Sequence, residues 1–307
     1  MHKHNLFSAP DHGHSLGEDL PRMAALAQRR RLLSWLAAGP ALVLAGCGGG
    51  GDDGGTSSTT TTTSSTTASG GTGSGSSSSA SDTSGSSSGS CTRYTTETNG
   101  PYPADGTNSS SGSTSDVLTA SGVVRSDIRA SFISSTTVAQ GVLLTLTLTL
   151  VNTNASCAPL SGYAIYVWHC DRAGLYSLYT VPAESYLRGV QVTDANGQVT
   201  FTTIFPACYA GRWPHIHMEV FSSLSTATTG RNALLVSQLA LPSAACSAVY
   251  SGASGYSASV SNFSQITLAS DNVFGDNSST ELAAMTPSMS GSVSAGYASA
   301  ATVGLAV

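Results

Sequence analysis

The sequence predicts an all-β fold, a β-sandwich over residues 91–307 preceded by a disordered tether, and three observations carry that prediction. Residues Gly141–Asn152 alternate strictly, with Leu144, Leu146, Leu148 and Leu150 on one side and Thr145, Thr147 and Thr149 on the other; a period of two marks a half-buried strand. Further short runs rich in β-branched and aromatic residues follow, separated by turn signals, as in a sandwich. No stretch after Cys91 shows a 3.6-residue period, so no helix is expected there.

Taken in order, Tyr163–Cys170 reads as a second strand. Gly189–Thr193, the turn Asp194-Ala195-Asn196-Gly197 and Val199–Phe205 read as a hairpin, with Asn-Gly supplying the turn. His215–Phe221 and Leu234–Leu241 complete the set. The 217 residues from Cys91 onward suffice for one large domain with its own core. No repeat of 20–50 residues is visible, against a solenoid or propeller.

Residues 1–46 read as an address. Arg29-Arg30-Arg31 precede an apolar stretch from Leu32 to Ala45, broken by Gly39-Pro40. Spanning a bilayer takes about 20 apolar residues, so this is the length of a signal-peptide core. It ends Leu44-Ala45-Gly46-Cys47, which resembles the lipobox of bacterial lipoproteins; the resemblance implies an extracytoplasmic protein of the cell envelope, held to the membrane only through lipidated Cys47. Arg29-Arg30-Arg31-Leu32-Leu33 also resembles a twin-arginine export signal. Four histidines among the first 14 residues are unusual for either signal, and Met23 is an alternative start. Residues 47–90 are the tether: after Cys47 they contain only Gly, Ser, Thr, Ala and Asp, too little apolar surface to fold. As a Gly/Ser coil it would keep its ends about 35 Å apart.

Composition excludes two classes. Beyond residue 46 the chain has seven basic and 14 acidic side chains, so a nucleic acid is not an expected partner, because phosphate neutralisation needs many Lys and Arg. The one long apolar run is the signal-like stretch, against a polytopic membrane protein.

The chemistry concentrates between His169 and Gln238. His215 and His217 flank Ile216, and on a strand they face the same way, about 6.5–7 Å apart. Alone, His-x-His is a weak metal signal. Glu219 shares their face, as in a facial triad, but no cupin-like spacing or glycine pattern surrounds it. Upstream stand Trp168-His169-Cys170-Asp171-Arg172-Ala173-Gly174-Leu175-Tyr176-Ser177, Tyr186-Leu187-Arg188-Gly189-Val190-Gln191, and Thr203-Ile204-Phe205-Pro206-Ala207-Cys208-Tyr209-Ala210-Gly211-Arg212-Trp213-Pro214. In this order and spacing, from Glu97-Thr98-Asn99-Gly100-Pro101-Tyr102 through Arg125-Ser126-Asp127-Ile128-Arg129 to Ala269-Ser270-Asp271-Asn272-Val273-Phe274, the blocks resemble the intradiol ring-cleavage dioxygenases, the catechol and protocatechuate 3,4-type non-haem iron enzymes.

The resemblance implies a β-sandwich catalytic domain over residues 91–307. It implies non-haem Fe(III) on Tyr176, Tyr209, His215 and His217; two hard phenolates suit Fe(III), and a bound cation lowers a phenol's pKa. Tyr179 is the rival to Tyr176, with Gly-x-Tyr-Ser favouring Tyr176. Ala207 stands where the family commonly has glycine. The family's pattern makes Arg212 the group that stabilises negative charge on the ring, a task suited to a planar guanidinium; a surface salt bridge is the bland alternative. It sets Gln238 beside the substrate and lets an incoming catechol displace Tyr209. His169 and Asp171 match no ligand position and read as supporting residues. The implied partners are a catechol-type small molecule and O2, giving a cis,cis-muconate-type diacid. A binding module that keeps the fold without turnover is the alternative.

Five cysteines follow Cys47: Cys91, Cys157, Cys170, Cys208 and Cys246. An extracytoplasmic location permits disulfides; five cysteines can form two bridges in 15 ways, among which the sequence does not choose, and the pairing taken as the working expectation is Cys208 to Cys246, which would fix the loop beside Tyr209. The helical region through which cytosolic catechol dioxygenases dimerise is replaced here by the tether, so that dimer is not expected.

Overall fold

The computed structural model describes residues 91–307; the signal segment, Cys47 and the tether lie outside the described residues. Among the described residues, nine strands form two sheets and three short helices come late in the chain. In the first sheet β1 (Leu143–Asn152) pairs antiparallel with β5 (Gln198–Ile204) and with β2 (Ala158–Pro159), and parallel with β9 (Gly296–Leu305), which pairs with β8 (Ser288–Ser292). The second sheet runs β4 (Arg188–Val192), β3 (Ala164–Trp168), β6 (His215–Phe221), β7 (Leu235–Ala240), all antiparallel.

The alternation read in β1 is its burial pattern: Leu144, Leu146, Leu148 and Leu150 are enclosed, and the threonines between them are partly exposed. Each buried leucine contributes about 2 kcal/mol. These leucines share one continuous core with Val199 and Phe201 of β5 and with Ile165, Val167, Ile216, Met218 and Val220 of the second sheet. The other face of that sheet carries Tyr166, Trp168, Arg188, His215, His217, Glu219 and Gln238, and it too is buried. The N-terminal arm covers it: Tyr166 Oη donates to Pro103 O at 2.8 Å, Arg188 donates to Tyr102 O and Pro103 O at 2.9 Å, and Gln238 Nε2 donates to Thr98 O at 2.8 Å.

Three expectations are corrected. The hairpin across Asp194–Gly197 does not form, because β4 joins β3 in the second sheet while β5 joins β1 in the first. The turn itself closes, Gly197 N donating to Asp194 O at 3.0 Å, but it carries the chain from one sheet to the other. Helices are present after all: α1 (Ser243–Gly252), α2 (Ser257–Ser264) and α3 (Ser279–Met285). The disulfide joins Cys91 to Cys157, while Cys170, Cys208 and Cys246 are buried free thiols. Cys208 already uses its sulfur as a donor to Arg212 O at 3.5 Å, and Cys246 to Leu241 O at 3.8 Å. Among the described residues no helix is long and apolar enough to cross a membrane.

Candidate metal centre and its charged neighbour

β6 delivers His215 and His217 to the covered face of the second sheet, and two loops bring tyrosines to meet them. Tyr176 follows a turn organised by Asp171, whose Oδ1 accepts from Ala173 N and Leu175 N at 2.8 and 3.0 Å. Tyr209 follows β5 on a loop held by Asn262 Nδ2, which donates to Cys208 O at 2.9 Å. The four polar ends converge. Tyr176 Oη lies 3.4 Å from His215 Nε2, 3.3 Å from His217 Nε2 and 3.5 Å from Tyr209 Oη. Tyr209 Oη is 3.1 Å from His215 Nε2, and the two Nε2 atoms are 3.1 Å apart.

These separations fit a cation. Four donors each about 2.0–2.1 Å from one ion in tetrahedral array stand roughly 3.3–3.4 Å from one another. The imidazoles are prepared for the role. A carbonyl can only accept, so the 2.5 Å contact of His215 Nδ1 with Trp213 O puts the proton on Nδ1 and a lone pair on Nε2. Burial, with Arg212 adding to it, holds His215 down to about 3, and burial with His215 holds His217 well below the usual range, so both rings are neutral and able to offer a lone pair. Trp168 stacks on His217 at 4.8 Å and 6° between planes, fixing its tilt. Burial pushes the Tyr209 phenol up to about 12 and Tyr176 well above its ordinary value; a cation is what would compensate phenolates there. Among the described residues no cluster of three or more His, Cys, Asp or Glu is placed to hold a metal; the candidate set here is two tyrosines and two histidines.

Glycines let backbone approach closely. A Cβ on Gly100 (φ +71°) would lie 3.1 Å from His217 Cε1, and one on Gly174 (φ +86°) would lie 3.1 Å from Tyr209 Cβ. Ala207 does not adopt the left-handed conformation that glycine favours.

Arg212 is 1% exposed. Its Nε donates to Asp271 Oδ2 at 2.9 Å and its Nη2 to Gln238 Oε1 at 2.7 Å, while Nη1 has no partner. Burial opposes charge on both members of the ion pair, yet their mutual attraction wins: Arg212 is held above its usual range and Asp271 below its own. The surface-salt-bridge alternative is thereby corrected, since both side chains of the pair are fully enclosed. Gln238 lies directly across from His217 in the β6–β7 register.

The remaining candidates fall outside the cluster. Tyr179 Oη donates to Asn108 Oδ1 at 2.6 Å and accepts from Ala104 N at 2.9 Å. His169 donates from Nδ1 to Cys170 O at 2.8 Å and accepts at Nε2 from Thr203 Oγ1 at 2.7 Å, a supporting role like that of Asp171. Glu219 faces Asp105; burial, reinforced by that neighbour, holds its carboxyl well above the usual range and leaves it a neutral acid.

Residues 133–235 match the family model Dioxygenase. An intradiol ring-cleavage dioxygenase from Tetranychus urticae superposes with a TM-score of 0.53 at 23% identity, over 70% of this chain and 95% of that one. The fold is that of an intradiol ring-cleavage dioxygenase. The dioxygenase domain of a dioxygenase–carbohydrate-binding fusion from Streptomyces sp. SirexAA-E aligns at 21% identity over 70% of this chain and 99% of that one, TM-score 0.42. Catechol 1,2-dioxygenase from Acinetobacter sp. ADP1 aligns at 18% identity over 59% and 57%, TM-score 0.38. No curated protein matches the chain. Within this intradiol fold, sequence reasoning passed over two residues that the site uses. Asp271 stood in a quoted block without a role, and Trp168 was given none; the block pattern was the available signal for both.

Proposed function

We propose that this chain is an Fe(III)-dependent intradiol dioxygenase that cleaves a catechol-type ring with O2 to a cis,cis-muconate-type diacid. The convergence of Tyr176, Tyr209, His215 and His217 beside an unpartnered buried guanidinium nitrogen carries this reading. Those four residues would hold the metal. Fe(III) bound there would supply a Lewis acid able to take electron density from a chelated catecholate. The protein's own contribution is orientation and charge. His215 is kept in one tautomer by Trp213 O, and His217 in one tilt by Trp168. Arg212 Nη1 is free to meet negative charge that develops on the ring, in surroundings closed to water, where a preorganised donor acts strongly. Gln238 fixes the guanidinium plane from the other side.

The lipobox pattern adds a place: an extracytoplasmic protein of the cell envelope, anchored by lipidated Cys47 and set off the membrane by the 47–90 tether. The Cys91–Cys157 disulfide supports that setting, since such bonds persist in oxidising compartments.

The test is purification with iron, a visible spectrum, and O2 uptake with catechol, protocatechuate and hydroxyquinol. A red-brown tyrosinate-to-Fe(III) band and uptake with at least one of them are expected. A colourless protein fully loaded with another metal, and no uptake with any, would overturn the proposal.

A further inference from the structure

This inference rests on the proposed ring-cleavage activity and concerns what aims Arg212. An arginine carries five N–H donors in a rigid plane on a flexible stem, and it is useful to a reaction only if that plane is held. Here the plane has two anchors on two different nitrogens, Nε on Asp271 and Nη2 on Gln238, and one nitrogen left over. Both anchors are themselves fixed. Gln238 donates to Thr98 O at 2.8 Å. Asp271 Oδ1 accepts from Val273 N and Phe274 N at 2.8 and 3.0 Å, so its carboxylate cannot turn.

The second oxygen of Asp271 does more than bind arginine. Oδ2 also accepts from Trp213 N at 2.6 Å, and the carbonyl of the same Trp213 takes the His215 Nδ1 proton. One carboxylate, contributed by the loop between α2 and α3, therefore sets the guanidinium and also the residue that orients a histidine of the centre. We infer that Asp271 is the positioning residue of the site: it aims Arg212 Nη1 at the reacting ring and holds Trp213, and through it His215, in register. Gln238 alone could not do this, because a neutral amide leaves the buried guanidinium charge unbalanced, which is costly.

The test uses the full chain in four forms: wild type, Asp271→Asn, Arg212→Leu and the double variant. Asp271→Asn keeps the side-chain size and removes the charge. Its kcat is expected to fall about 10–100-fold, as for other residues that orient a metal site's ligands, with KM for catechol little changed. In the Arg212→Leu background, Asp271→Asn is expected to lower kcat far less than it does in the wild type, since its main target is gone. Losses that multiply in full would show that Asp271 acts apart from the arginine, against the inference. A second readout needs no turnover: the Arg212 Nε–H should exchange slowly with solvent by NMR in wild type and quickly in Asp271→Asn. Equal exchange rates in the two would overturn the inference. Should Asp271→Asn not fold, Asp271→Glu keeps the charge and displaces it by one methylene; it should retain part of the turnover, and full wild-type turnover would again count against an aiming role. Wild type inactive on catechol, protocatechuate and hydroxyquinol would instead remove the activity itself, and a role for Asp271 in it.

Discussion

The two sheets follow the same alternation and put it to different use. In the first, the off-core face of β1 carries Thr145, Thr147 and Thr149 toward solvent, where a hydroxyl costs nothing to leave unpaired by protein. In the second, β6 is buried along its entire length, so polar groups on the sheet's off-core face are cut off from water: Arg188 and Gln238 are hydrogen-bonded there, while Trp168 Nε1 and His217 Nδ1 have no partner among the described residues. A histidine pair, a neutral glutamate, a glutamine and two arginines lie on or beside that face. Polar residues kept under cover on one sheet, and allowed into water on the other, separate the working surface from the structural one.

Substitutions should therefore be harsh on one sheet and mild on the other. The largest effect is expected from Tyr176→Phe, which keeps the ring but removes an oxygen donor: most of the bound iron and the visible band should be lost. Tyr179→Phe should keep both, since its hydroxyl binds Asn108 and Ala104; the reverse outcome in metal analysis would move the centre. Next, Arg212→Leu should still bind iron and still show a spectral shift with anaerobic catechol. Its turnover should drop about 10²–10³-fold, the usual cost of one preorganised donor. Wild-type kcat in this variant would reduce the buried pair to a scaffold.

Stability should respond on the first sheet to covalent change more than to surface chemistry. Cys91→Ala opens a bridge spanning 66 residues of chain, and a loss of about 2–4 kcal/mol in urea unfolding is expected. A smaller effect concerns acid. The Asp271 carboxyl is depressed in the folded state, so its contribution is fully present above its unfolded pKa of about 3.9 and is lost as pH falls through the lower folded value. Unfolding midpoints followed below about pH 4 should fall less steeply in Asp271→Asn than in wild type; parallel slopes would contradict the sign. Smallest of all, Thr147→Val on the wet face should shift stability by less than about 0.5 kcal/mol. It gives up one exposed hydroxyl contact with Thr200 and nothing else.

What could be read in the sequence follows the same division. The β1 leucines were legible because one face is wet, so hydropathy contrast is strong. The helices were not. In α1 the buried positions Ala245, Cys246, Val249 and Tyr250 sit among Ser, Ala and Gly, which contrast too little to show a period. α3 carries a local start signal, Ser278 and Glu281 in a reciprocal capping box, but its seven residues are too few to display a period. β8, of sequence Ser-Met-Ser-Gly-Ser, offers no apolar side chain beyond Met289. The hairpin across Asn196-Gly197 failed because turn chemistry is local while the choice of partner strand depends on which faces are buried. At the site, Tyr176, Tyr209, His215 and His217 were reached through the resemblance of their sequence blocks to the intradiol dioxygenases, since His-x-His alone is a weak signal. Asp271 stood in such a block too, but its role stayed hidden because its partner Arg212 lies 59 residues away in the chain.

The entry of the chain into the domain has a mechanical consequence. Cys91 is bonded to Cys157 beside the β1–β2 turn, and two residues on, Arg93 bridges in parallel to Gly304 near the end of β9. Were Cys47 anchored as proposed, traction through residues 47–90 would arrive first at a covalent clip seated on the first sheet. The load would pass into β1, a strand bordered by three others, and dissipate there. The arm from Thr98 to Asp105, which roofs the histidines and tyrosines, begins downstream of that anchorage and would stay slack.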